Sequence, residues 1–297
     1  MRYATLISRI LLASASLALP ATVAAAPPIA YAKESGSSFD IYLANPNGTG
    51  AVKLYSTPAK NSAILDLRPG DNELAIAESR GNGFKIIRHT DAGVRTSITP
   101  FVDSCRVNTL DYHPYDGSLL VIRNCLNPQL VEIRVWANGA YGPPLLSTDG
   151  MNDSYRAVRW LGDGSGFLLV YATWSGATLQ RHSLSNPSAP TPIKFWSGAS
   201  NGPSGLDTAR CQGQPLGSAC SKILYDDASG IHELRFDEFG EVSDTLVIPG
   251  ATNGRYSPDN SRILYRSQVR AGYTLNVTNP AQTTATKGGY MSPDWRP

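Results

Sequence analysis

Apolar and polar positions alternate along this chain in short runs. "FDIYLAN", "LLVIRN", "VEIRVWA", "FLLVYAT", "SKILYDD" and "TLNVTN" each span only a few residues, and Gly, Pro, Asn and Asp clusters separate them. Period-two runs of this length bounded by turn formers predict β-strands, and helical periodicity is nearly absent after the first residues. The pattern predicts an all-β protein.

The runs are not independent. A residue that ends one strand and enters a turn recurs as Leu67 in "ILDLRPGDNELAIAES", Tyr112 in "TLDYHPYDGSLLVIRN", Trp160 in "AVRWLGDGSGFLLVYAT", Tyr256 in "GRYSPDNSRILYRS" and Trp295 in "SPDWRP". The steps are 45 and 48 residues, then 96, which is two pitches, and finally 39. A unit of about 40 to 50 residues with four strands is the repeat of a β-propeller blade. Each unit reads as a strand, a Pro/Asp/Gly turn, a strongly apolar second strand, a third strand and a more polar fourth. The turn residues suit the geometry, because Pro presets φ and Asp-Gly or Asp-Asn tolerates positive φ.

The first mature residues, "PIAYAKE", "FDIYLAN" and "AVKLYS", supply a second, third and fourth strand without a first. The missing first strand is the one that ends at Trp295. The expected fold is therefore a six-bladed β-propeller with four-stranded antiparallel blades, closed by pairing of N- and C-terminal strands in one blade.

These residues carry a resemblance. "YSPDNSRILYRS", "SPDWRP", "FDIYLANPNGTGAVKLYS" and "TLNVTNP" resemble the TolB-like six-bladed β-propeller family, whose blades hold a Trp-Ser-Pro-Asp-Gly turn, an apolar strand and a "dIyv" strand. The likeness extends over residues 28–297. It departs from the family at "LRPGDN", at "WLGDGS" and in the fourth unit, where a longer loop replaces the turn. The TolB protein also carries an N-terminal α/β domain, whereas only a leader is expected ahead of this propeller. The resemblance implies a protein-binding module of the bacterial cell envelope.

Residues 1–25 read as that leader: Arg2 and Arg9, the apolar core "ILLASASLAL", Pro20 and the small residues of "ATVAAA" form a secretory signal peptide. Residues 26–297 are then a single domain that is periplasmic or secreted. Removing Arg2 and Arg9 from 26 basic residues leaves 24 against 24 acidic ones. A near-neutral chain without a Lys/Arg run argues against nucleic acid and anionic membranes as partners, and a monomer is expected.

An even number of cysteines in an exported chain favours disulfides. Cys105 and Cys125 lie equidistant from the turn near Tyr115, and Cys211 and Cys220 bracket the loop of the fourth unit. The expected pairs are Cys105–Cys125 and Cys211–Cys220.

Catalytic signatures are missing. The sequence has no G-x-S-x-G, no phosphate-cradling glycine loop and no H-E-x-x-H. Its four histidines fall at a turn (His113) and in third strands (His89, His182, His232), away from a propeller's axis. No catalytic, cofactor or metal residue is assigned. The candidate site is instead the channel mouth, lined by the position before each turn residue: Asp66, Asp111, Arg159, Thr208, Arg255 and Asp294, with Thr208 the least defined. Their charges could bind a cation or a charged segment of a partner, or could pair among themselves and with backbone amides. Trp136, Trp174 and Trp196 could stack on sugars or pack between blades. The expected function is a noncatalytic binding or scaffold module for another envelope protein or peptide; the alternative is a carbohydrate-binding or polysaccharide-degrading propeller, a lyase or hydrolase.

Overall fold

The computed structural model describes residues 28–57, 63–68, 73–80, 83–90, 93–100, 102, 104–126, 128–198, 202–209, 222–237, 240–269, 272–278, 282–285 and 290–295. Among them there are strands and turns and no helix. The strands form six antiparallel sheets, each built from consecutive strands save one.

Blade one comprises β4 (Ala63–Leu67), β5 (Glu73–Arg80), β6 (Gly83–Thr90) and β7 (Arg95–Ser97). Blade two has β8 (Cys105–Tyr112), β9 (Leu119–Leu126), β10 (Gln129–Ala137) and two short outer pieces, β11 (Ala140–Tyr141) and β12 (Leu146–Thr148), which both pair with β10. The single fourth strand expected there is thus divided, because Gly142-Pro143-Pro144 interrupts it. Blade three is β13 (Asp153–Trp160), β14 (Gly166–Thr173), β15 (Gly176–Ser183) and β16 (Asn186–Ser197). Blade four is β17 (Leu206–Thr208), β18 (Lys222–Asp227), β19 (Gly230–Asp237) and β20 (Gly240–Pro249). Blade five is β21 (Ala251–Tyr256), β22 (Ile263–Val269), β23 (Gly272–Val277) and β24 (Gln282–Ala285).

Blade six joins the two ends of the chain. Its inner strand β25 (Tyr290–Trp295) pairs with β1 (Ile29–Ser35), and β2 (Ser38–Ala44) and β3 (Val52–Ser56) complete the sheet. Trp295 stands opposite Ile29, and Asp294 opposite Ala30. The expected terminus-to-terminus closure is the observed topology. Trp295 is buried, with the Arg262 guanidinium 4.8 Å above its ring.

The apolar second strands have a direct explanation. A blade packs against a neighbour on both faces, so both sets of alternating side chains are covered, and β14 reads as a nearly unbroken buried run. The core is accordingly divided into clusters between neighbouring blades. Ala75, Phe84 and Ile86 of blade one meet Leu110, Tyr112 and Val121 of blade two. Leu120 and Ile133 of blade two meet Val158 and Phe167 of blade three. Leu168 and Val170 meet Ile223 and Tyr225 of blade four, and the ring closes through Ile29, Trp295 and Leu264, then through Ile41, Leu65 and Leu74. No blade buries both of its faces alone.

Outer strands are exposed instead. β16 carries Pro187, Pro190 and Pro192, which lack backbone donors and blunt an edge open to pairing with another chain. The expected Cys105–Cys125 disulfide is formed and ties the start of β8 to the end of β9. The expected Cys211–Cys220 pair lies outside the described residues.

Candidate functional site

The inner strands surround the axis in parallel, and strand register fixes which residues share one level. Asp66 stands opposite Ala75, Asp111 opposite Leu120, Arg159 opposite Leu168 and Arg255 opposite Leu264, each one residue before the turn. In blade four the residue at this level is Asp207, opposite Leu224, and not Thr208. Thr208 takes the place of the aromatic and donates its hydroxyl to Trp160 O at 3.0 Å. The sequence did contain the signal: Leu-Asp recurs at 65–66, 110–111 and 206–207, and Asp207 lies 48 residues from both Arg159 and Arg255. The missing aromatic concealed it.

The level thus holds four aspartates and two arginines. All are buried, from 1% exposed at Asp66 to 9% at Arg255. Buried charge costs several kcal/mol per ion unless it is paired and hydrogen-bonded, and a single rule meets most of that need. The carboxylate of one blade accepts the backbone N–H one residue past the same level in the next blade. Asp66 Oδ2 accepts from Tyr112 N at 2.6 Å, Asp111 Oδ2 from Trp160 N at 2.6 Å, Asp207 Oδ2 from Tyr256 N at 2.7 Å and Asp294 Oδ2 from Leu67 N at 2.6 Å. These short charge-assisted bonds lock four seams.

Arginine cannot accept a hydrogen bond, so blades three and five use another device. Arg159 donates Nη1 to Leu110 O at 3.0 Å and to Asp111 Oδ1 at 3.1 Å, and Nε to Leu206 O at 2.9 Å. It also faces Asp66 Oδ1 at 3.7 Å and Asp207 Oδ1 at 3.9 Å. One guanidinium therefore reaches residues from blades one, two and four and spans the channel. Burial opposes its charge, but Asp111, Asp66, Asp207 and Asp294 outweigh that and raise its pKa. Arg255 donates Nη1 to Leu206 O at 2.7 Å, and its Nε lies 3.8 Å from Asp294 Oδ1. Its pKa is lowered, by burial first and then by Arg159.

The five channel residues expected from sequence are therefore brought together with Asp207. Their interactions are those of a structural plug: the carboxylates hold amides and the arginines hold carbonyls. On one side of this plug lies a hollow of about 80 Å³ floored by Arg159 and Arg255 and walled by Asn108, Ser204 and Asn253.

That hollow opens toward the face where inner strands begin, the entry face. Because successive strands are antiparallel, this face also carries the turns between second and third strands and the links between blades. Six exposed apolar residues lie there on three consecutive blades: Leu126, Met151, Trp174, Phe195, Leu246 and Val247. Trp174, at the tip of the β14–β15 turn, is 82% exposed. The Lys194–Asp244 ion pair, at 2.6 Å, joins the outer strands of blades three and four beside Phe195 and Leu246.

The histidines remain apart on blades one to four. His113 packs edge-on against Trp160, His182 stacks on Phe167 and His232 stacks on Tyr225. No group of three or more His, Cys, Asp or Glu side chains suited to a metal occurs among the described residues. Trp136 packs on Tyr141, and Trp196 packs on Tyr225 across a seam. Of the three tryptophans considered for sugar stacking, Trp174 alone is largely exposed.

In sequence, the chain matches no protein-family profile and no curated protein. In structure it is similar to TolB from Acinetobacter baumannii, at a TM-score of 0.68 and 15% identity, covering 91% of this chain and 67% of that one. A chain of the nidogen/laminin complex matches at a TM-score of 0.66 and 11% identity, covering 90% of this chain and 97% of that one. Oligogalacturonate lyase from Vibrio parahaemolyticus follows at 0.55 and 8% identity, covering 84% and 86%. At such identities the likeness concerns the fold: the chain is a six-bladed β-propeller, similar in architecture to the propeller of TolB.

Proposed function

We propose that this protein is an exported, noncatalytic propeller that binds another protein of the bacterial cell envelope through its entry face. The observation that carries this reading is the apolar arc of Leu126, Met151, Trp174, Phe195, Leu246 and Val247 across three consecutive blades. Exposed apolar side chains gathered at one end of a rigid scaffold suit protein recognition, and rigidity lowers the ordering cost of binding. The hollow at the centre of the same face, floored by Arg159 and Arg255, would receive a charged residue of the partner, with Asp66, Asp111, Asp207 and Asp294 behind them. The signal-peptide pattern read in residues 1–25, the disulfide and the likeness to TolB support a periplasmic or secreted location.

The scattered histidines fit this reading better than a lyase. The exposed Trp174 also suits a sugar ring, which keeps carbohydrate binding as the second reading. Both can be tested together. Protein immobilised through its exposed surface is expected to capture a partner from envelope extract, and the Trp174→Ser/Phe195→Ser double variant should capture it about tenfold less, as loss of a buried anchor implies. Circular dichroism should match wild type. Unchanged capture by the double variant, or binding confined to a glycan array, would refute the proposal.

A further inference from the structure

On the opposite face, at the seam between blades one and two, lies a cleft of about 390 Å³. Its volume is in the range of small-ligand sites. The floor is Glu73, whose Oε1 accepts the Tyr112 hydroxyl at 2.8 Å. Its other oxygen, Oε2, faces two guanidiniums at once, Arg68 Nη1 at 3.4 Å and Arg88 Nη1 at 3.6 Å. Trp136 and Asn138 form the far wall.

The Arg88 side chain makes that one long ion-pair contact and no side-chain hydrogen bond among the described residues. A guanidinium has five N–H donors in a planar fork suited to a carboxylate. Arg68 is positioned by a backbone feature of the neighbouring blade. Gly117, at φ 72°, carries no side chain, and a Cβ there would meet the Arg68 guanidinium. The cleft therefore presents two guanidiniums above one carboxylate, beside an indole. Asp116 stands at the rim, 63% exposed, its Oδ1 accepting Ser118 N at 2.8 Å and facing His113 Nδ1 at 3.1 Å.

We infer that this cleft binds a small carboxylate ligand, with the carboxylate received by Arg88 and Arg68 and the body of the ligand against Trp136. The site shares no residue with the entry face, so its failure and that of the protein-binding reading are separate. Two sources have this chemistry, an acidic sugar and an acidic amino acid, and the measurement separates them.

Isothermal titration calorimetry of the full chain would use galacturonate, N-acetylglutamate and, as the uncharged control, glucose. One of the two carboxylates is expected to bind and glucose not to. Arg88→Gln should weaken that binding by at least about tenfold, the usual worth of a charge-assisted hydrogen bond, while Arg88→Lys retains part of it. Arg88 is a surface side chain, and thermal melts of both variants should overlay wild type. The inference is overturned by equal binding of glucose, by wild-type affinity in Arg88→Gln, or by no binding of either carboxylate.

Discussion

Blade two and blade six solve the same problem by opposite means. In blade two the first and second strands are linked by the turn from His113 to Ser118 at one end and by Cys105–Cys125 at the other. In blade six those two strands come from opposite ends of the chain and share no turn. What holds β25 to β1 is a short ladder and the burial of Trp295, while the bond from Leu67 N to Asp294 ties β25 onward to blade one. A covalent staple sits where the chain already secures the blade, whereas the unsecured blade relies on packing and one buried carboxylate. Redundancy protects a blade, and its absence makes blade six the point at which the ring can open.

The largest break in this comparison would be removal of residues 289–297. The deletion loses the inner strand and Trp295, and burial of a Trp side chain alone is worth about 3–5 kcal/mol. We expect the melting temperature to fall by about 10–20 °C, or cooperative unfolding to vanish; calorimetry showing an unchanged transition would contradict closure through blade six. Next comes Asp294→Ala, which strands the Leu67 amide and unbalances Arg255, at a cost of about 3–5 kcal/mol in urea unfolding. Asp294→Asn keeps an acceptor and should cost less, so equal losses would show that charge and not amide capping is what matters. The smallest effect is expected from Cys105→Ser/Cys125→Ser in blade two, about 3 kcal/mol or less on a chain-entropy basis. If that variant were less stable than Asp294→Ala, the order of dependence argued above would be reversed.

Much of this was legible in the sequence, for identifiable reasons. The pitch of the turns, the apolar second strands and the unmatched strand at each end follow from local periodicity, and together they specify six blades and their closure. The Cys105–Cys125 pair followed from counting residues on either side of a hairpin turn. Asp207 did not follow, because β17 is only three residues long and Thr208 replaces the aromatic that marks the level elsewhere. Nor could sequence show that each aspartate serves the next blade, since that bond joins residues 46 apart for Asp66 and Tyr112. The apolar arc was hidden for a different reason. Leu126, Trp174 and Phe195 lie far apart in the chain, and only strand direction places them at one end of adjacent blades.

The forward direction of the carboxylate bonds has a consequence for synthesis. Asp66, Asp111 and Asp207 each precede the amide they hold, so those links can form as soon as the next blade emerges. The link from Asp294 runs the other way, to an amide 227 residues earlier. Until β25 arrives the Leu67 amide is open to water, and the hydrogen bond that closes this seam is among the last to form. Blade six cannot be completed before its inner strand is available, so closure of the ring is the last step of assembly.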